Sequence, residues 1–275
     1  MSTNRGLAVA LLSCCLVLTG CHGQSQARAV AAPASCAPMP EVAAHRGGTE
    51  KSLENTLGSF GSAGEAGIKT WELDVHFDVK GTPVVLHDDT VDRVSPMTGP
   101  IAELDASNNG IPTDDGQYIP TLREVYDLAE KYHAHVLTEI KVMPTATQWK
   151  SVTADIDETI GRSSVTLMSF EKPIVLQEEE RFPGTETGLL HGAGYLAPEQ
   201  VKEYGTSYMQ SQGSISASRA EAWHAAGIRL YAWTVDNQAD WAKLSAWPVD
   251  VFITNNPIAY AKWAGQQCRP VRSPK

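Results

Sequence analysis

The chain has 275 residues, 42% of them hydrophobic and 20% charged, with a formal net charge of −10. This is globular composition, which excludes a disordered or fibrous protein. Lys and Arg number 22 against 32 Asp and Glu, without a basic cluster. No nucleic-acid partner is therefore expected, although a local basic pocket can still hold one phosphate.

Residues 1–20 read as a lipoprotein-type signal peptide. Arg5 supplies the positive start, and Gly6 to Leu18 is an apolar run too short to span a bilayer. Leu18-Thr19-Gly20-Cys21 resembles a bacterial lipobox, which makes Cys21 the expected lipid carrier. A plain secretory leader is the other reading. Leu11-Leu12-Ser13-Cys14 is a weaker box that would leave apolar residues on the mature chain. The protein is thus expected outside the cytoplasm, as a cell-envelope lipoprotein or secreted, touching a membrane only through its anchor.

Residues 21–40, rich in Gln, Ser, Ala and Pro, read as a flexible tether. The domain proper is placed at 41–268, followed by a tail at 269–275. Cys36 and Cys268 flank this domain. In an exported protein they are expected to form a disulfide, the alternative being two free thiols.

Short apolar runs then alternate with helix-length amphipathic stretches. In chain order the reading is strand Val42–His45, helix Asn55–Ala66, strand Thr70–His76, helix Leu122–Tyr132, strand His135–Lys141, helix Ala146–Ile160, strand Val165–Phe170 and helix Pro173–Arg181. It continues with strand Glu186–His191, helix Pro198–Tyr204, strand Ser207–Gln212, helix Ala217–Ala226, strand Arg229–Val235, helix Gln238–Leu244, strand Val249–Thr254 and helix Pro257–Gly265. Eight βα units in one domain of this length point to an α/β fold, the closed TIM (β/α)8 barrel. Thr121 and Glu124 form a capping box, Gly67 and Gly227 follow helices, and Pro173, Pro198 and Pro257 open them. One segment breaks the rhythm after the second strand. Val79–Leu86 reads as a hairpin strand turning at Lys80-Gly81, and Asp88–Pro120 as a long excursion over the top of the barrel.

In such a barrel the active site lies at the C-terminal strand ends. Glu72 and Asp74 are two apart on one strand and share a face, whereas Trp71, Leu73 and Val75 take the other. Glu139 approaches them from the next strand. Three converging carboxylates repel unless a cation joins them, and oxygen-only ligands suit Ca2+ or Mg2+. The alternative is a structural network with Lys141 and Arg46. His45 and His87 stand at strand ends beside these acids, and histidine can both take and give a proton near neutrality. Arg46 has the fork geometry for phosphate oxygens. His191 ends the fifth strand and is a further candidate for the pocket.

His45-Arg46-Gly47, Glu54-Asn55-Thr56, Glu72-Leu73-Asp74-Val75 and Gly81-Thr82-Pro83-Val84-Val85-Leu86-His87-Asp88 resemble, in order, the signature of the glycerophosphodiester phosphodiesterase family. Pro120-Thr121-Leu122, Glu139-Ile140-Lys141, Ser169-Phe170 and Trp233-Thr234-Val235 continue it. The resemblance implies catalytic histidines at His45 and His87, and metal ligands at Glu72, Asp74 and Glu139. It also implies phosphate contacts at Arg46 and Lys141, and a substrate wall at Trp233 and Phe170. Asn55 would be a polar residue near the site, with helix capping as its other role. The family commonly has Thr-Asp where this chain reads Thr254-Asn255, a departure expected to bear on substrate fit. The excursion occupies the place of the family's substrate-covering insertion. It is short here, so an open site is expected.

The implied activity is hydrolysis of a glycerophosphodiester to glycerol 3-phosphate and an alcohol by a monomer with one divalent cation, Ca2+ slightly favoured. His87 is read as the acid and His45 as the base, the reverse remaining open. A lysophospholipase D or sphingomyelinase D-like enzyme and a noncatalytic envelope-binding protein are the rival readings.

Overall fold

The computed structural model describes residues 36–267 together with Arg269 and Pro270. The leader, Cys21 and Cys268 lie outside the described residues. The strands are β1 (Cys36–Ala37), β2 (Glu41–Ala44), β3 (Thr70–Phe77), β4 (Pro83–Val85), β5 (His135–Ile140), β6 (Val165–Ser169), β7 (Glu186–His191), β8 (Ser207–Ser211), β9 (Arg229–Trp233), β10 (Val251–Thr254) and β11 (Arg269–Pro270). Between them run α1 (Leu57–Glu65), α2 (Leu122–Tyr132), α3 (Ala146–Glu158), α4 (Lys172–Arg181), α5 (Pro198–Val201), α6 (Ala217–Ala225), α7 (Gln238–Ser245) and α8 (Pro257–Ala264).

Strands β2, β3, β5, β6, β7, β8, β9 and β10 pair in parallel in that order, and β10 returns to β2. The sheet is therefore a closed eight-stranded barrel, as the alternation predicts. Side-chain alternation sorts its layers. On β3, Trp71, Leu73 and Val75 point outward into the core shared with α1, α2 and α3. The barrel interior is filled by Leu137, Met168, Leu190, Met209, Tyr231 and Ile253. The N-terminal ends close in a polar cluster, where Glu186 accepts from Thr166 and Ser207. That leaves the C-terminal mouth as the open end.

Local chemistry shifts several boundaries. Helix α1 begins at Leu57, because Thr56 accepts the backbone N–H of Ser59 and Ser59 returns the bond to the N–H of Thr56. Asn55 is thus not the cap; it holds a left-handed conformation with φ 56°. Strand β2 ends at Ala44, and His45 to Gly47 form a 3₁₀ turn. The turn needs φ 82° at Gly47, where a Cβ would meet the Ser59 hydroxyl at 2.4 Å. The Thr121–Glu124 capping box is present as read.

The hairpin after β3 is shorter than expected. Only Pro83–Val85 pairs with β3, antiparallel at Val75–Phe77, and Val79 lies exposed in the turn. The excursion, residues 88–120, packs on this hairpin through its own apolar core of Val91, Val94, Ile101, Ile111 and Ile119 against Val84 and Leu86. The tether also ends earlier than its composition implies. Cys36 and Ala37 pair antiparallel with Pro270 and Arg269, and buried Pro40 accepts the Tyr260 hydroxyl at 2.7 Å. Residues 36–37 of the tether and 269–270 of the tail thus form a two-stranded sheet separate from the barrel, and Pro40 is buried.

Candidate active site

The mouth holds a cavity of about 150 Å³. One side is polar, lined by His45, Arg46, Glu72, Asp74, His87 and Glu139; the other is apolar, lined by Met168, Phe170, Leu190, Trp233 and Ile253. None of residues 88–120 lines it.

Parallel pairing of β3 with β5 sets Asp74 beside Glu139. Ligand oxygens of Glu72, Asp74 and Glu139 all lie within 4.8 Å of one another, and the three side chains are buried. The backbone N–H of Arg46 donates to Glu72 Oε2 at 2.9 Å, and Asn55 Nδ2 donates to Asp74 Oδ2 at 2.9 Å. Arg46 Nε is 3.4 Å from Asp74, and Lys141 Nζ is 3.3 Å from Asp74 and 3.0 Å from Glu139. Asn55 therefore orients a carboxylate. Lys141, read as a phosphate contact, is paired with Asp74 and Glu139 and is not among the residues that line the cavity.

These groups titrate unequally. Burial pushes Asp74 up, but Lys141, Arg46 and His87 outweigh it and hold its carboxyl well below the usual range. Burial, then Asp74 and Glu139, drive Glu72 well above its ordinary value. Burial, then Asp74, push Glu139 up to about 7. Two cationic side chains do not balance three buried acids. A hard divalent cation would supply what is missing, and an all-carboxylate donor set suits Ca2+ or Mg2+. The residues present fit such an ion.

The two histidines are held differently. His45 Nδ1 is 2.7 Å from Asn255 Oδ1, and its Nε2 is 3.9 Å from Glu72 Oε2. Burial and then Arg46 lower the pKa of His45, so its ring favours the neutral form. His87 Nδ1 is 2.6 Å from Asp88 Oδ1. Asp88 accepts from Arg93 Nε at 2.6 Å; Arg93 donates to Glu54 at 2.7 Å, and Glu54 accepts from Arg46 at 2.9 Å. Arg93, with Asp88's own His87 contact, holds the Asp88 carboxyl down to about 2. A chain of alternating charges thus joins His87 to Arg46.

Sequence reasoning missed Arg93, which lies in the excursion with no motif to mark it, and Asp236, which holds Asn255. Asn255, read as a departure bearing on substrate fit, has its amide oxygen 2.7 Å from His45 Nδ1. Phe170 and Trp233, read as a substrate wall, both line the cavity and meet edge to face at 5.5 Å, and Trp233 Nε1 donates to the Met209 carbonyl at 2.9 Å. His191 turns away, its Nδ1 lying 3.0 Å from Gln210 and 2.9 Å from the Tyr208 hydroxyl.

Residues 45–259 match the model of the glycerophosphoryl diester phosphodiesterase family. A glycerophosphodiester phosphodiesterase of Caldanaerobacter subterraneus is 31% identical over 78% of this chain and 94% of its own length. One of Bacillus subtilis is 26% identical over 80% and 84%. A phosphodiesterase of Oleispira antarctica, solved with the product sn-glycerol-3-phosphate, superposes with a TM-score of 0.75 at 23% identity, over 83% of this chain and 98% of that one. The ordered motifs, the acidic barrel mouth and these likenesses agree: the chain belongs to the glycerophosphoryl diester phosphodiesterase family and is a phosphodiester hydrolase.

Proposed function

We propose that the chain hydrolyses glycerophosphodiesters to glycerol 3-phosphate and an alcohol, with His45 as general base and His87 as general acid. The observation that carries this reading is that both rings open on the cavity that holds the three carboxylates. Glu72, Asp74 and Glu139 would hold one divalent cation, which, when bound, acts as Lewis acid and template for a phosphate oxygen. Arg46 lines the same cavity and brings a fixed positive charge to the place of the phosphate. Phe170 and Trp233 give carbon atoms of the substrate an apolar rest.

His45 backs onto a neutral amide and has a lowered pKa, which suits a ring that receives a proton. His87 backs onto a carboxylate, which suits a ring that delivers one. The nucleophile's proton passes to His45 as its oxygen bonds to phosphorus. The phosphorus–oxygen bond to the alcohol breaks, and His87 protonates the departing oxygen. One water is consumed overall, whether water attacks first or the glycerol 2-hydroxyl does. The Oleispira complex, with its glycerol 3-phosphate product, supports this choice of bond.

Phosphorus NMR of glycerophosphocholine digested with Mg2+ or Ca2+ tests the reading. The expected product is glycerol 3-phosphate; phosphocholine would mean that the other ester bond breaks.

The leader supports export, with Cys21 carrying lipid, and the chain is read as a monomer. Labelled palmitate incorporated by the expressing cells should be lost on Cys21→Ser. The β1–β11 pairing supports a Cys36–Cys268 bridge. Thiol titration of the unfolded, unreduced protein should then find neither cysteine free.

A further inference from the structure

We propose that Asp236 is a positioning residue that fixes the side-chain amide of Asn255 and, through it, the tautomer of His45. The proposal deepens the acid–base reading and rests on it only for its effect on turnover.

Neither Asp236 nor Asn255 lines the cavity. They follow neighbouring strands, β9 and β10. Asp236 Oδ1 accepts the backbone N–H of Asn255 at 2.8 Å and the Thr254 hydroxyl at 3.1 Å. Its Oδ2 accepts Asn255 Nδ2 at 2.7 Å. Asn256 Nδ2 donates to the Asp236 backbone carbonyl at 3.0 Å, which ties the two strand ends together again.

An ionised carboxylate only accepts hydrogen bonds. Flipping the Asn255 amide would set its oxygen against Asp236 Oδ2, two acceptors at hydrogen-bonding distance. The amide is therefore held one way round, with Oδ1 toward His45 Nδ1 at 2.7 Å. An amide oxygen cannot donate, so Nδ1 must carry the ring proton. In the neutral ring Nε2 is then bare, and Nε2 is the nitrogen toward Glu72 and the cavity. Orientation thus passes from a carboxylate, through an uncharged amide, to the base. The amide spares His45 a direct carboxylate partner, whereas His87 has one in Asp88.

The test is the protonation pattern of His45 in protein labelled with nitrogen-15 histidine, read from nitrogen–proton correlation spectra with and without Mg2+. The His45→Ala spectrum assigns the signals. The native protein should show the Nδ1–H tautomer. Asp236→Asn keeps the shape but no longer dictates the amide, so the Nε2–H form should appear. Its kcat on glycerophosphocholine should fall about 10–100-fold with KM unchanged, as for loss of a group that orients a functional histidine. Asn255→Asp alone would oppose two carboxylates. The double exchange, Asp236→Asn with Asn255→Asp, restores one donor and one acceptor and should exceed both single variants in kcat.

An Nε2–H tautomer in the native protein, or an Asp236→Asn variant that keeps a pure Nδ1–H ring, overturns the proposal whatever the rates. If the tautomer shifts while kcat holds, the positioning stands and His45 is not the base.

Discussion

Among the described residues carboxylates are buried in several places, and two of these places differ sharply in the partners they give the acids. At the mouth, Glu72, Asp74 and Glu139 converge, with Arg46, Lys141 and Asn55 bonded to them. On the barrel wall, Glu178 stands alone between Ile174 and Phe182 on the inward face of α4, fully buried, and neither of its oxygens has a hydrogen-bond partner. Burial, then Glu139 and Glu179, drive its pKa well above the ordinary value. Perturbed titration by itself therefore does not mark a site. What marks the mouth is convergence, a cavity, and cations and amides that hold the acids in place. The wall carboxyl has none of these and behaves as a cost to stability.

The largest effect should come from breaking convergence. Asp74→Ala removes the acid that Arg46, Lys141 and Asn55 all hold. Calorimetry should show cation binding lost, and turnover should fall to background; retained binding would detach the cluster from the metal.

Removing either histidine should spare the cluster. His45→Ala and His87→Ala should each lower turnover by about 10²–10⁴-fold, with cation binding retained. A nitrophenyl ester leaves without a proton donor, so it should rescue the His87 variant and not the His45 variant. The opposite rescue pattern would exchange the two roles.

The mouth should also respond to pH. Glu139, pushed up to about 7, and Glu72, raised well above its ordinary value, must lose protons for a cation to bind. Affinity should therefore weaken as pH falls below about 7, by about tenfold per unit for each proton displaced. Calorimetry across that range, with flat affinity, would contradict the raised pKa values of Glu72 and Glu139.

The smallest effect lies on the wall. A raised carboxyl pKa leaves stability intact below the unfolded value, about 4.3, and the cost grows as pH rises toward the folded value. Glu178→Met should therefore stabilise the fold by about 1–3 kcal/mol near neutral pH, less as pH falls, with turnover unchanged. Denaturant melts at several pH values check this. A loss of turnover would tie the wall to the site.

The same contrast shows what a sequence can disclose. The mouth acids were readable because strand alternation is local: Glu72 and Asp74 share a face against Trp71, Leu73 and Val75. The barrel was readable because eight such runs alternate with capped helices. Contacts between distant segments were not. His45 meets Asn255 from 210 positions away, and Arg93 reaches Glu54 and Asp88 from an excursion that carries no motif. No local pattern encodes those pairings. The start of α1 was missed for a different reason, since Asn55 and Thr56 are both good caps and only the Ser59 partner decides. Glu178 was invisible because an acid on a helix reads as solvent-facing.

The central claim is that the mouth acids hold one divalent cation for phosphodiester hydrolysis. The direct test is turnover of glycerophosphocholine by metal-stripped protein as Ca2+ or Mg2+ is titrated back. Activity should rise from background and saturate at one equivalent of bound cation, with glycerol 3-phosphate as the product. Full turnover by stripped protein, with no metal found by elemental analysis, would contradict the account.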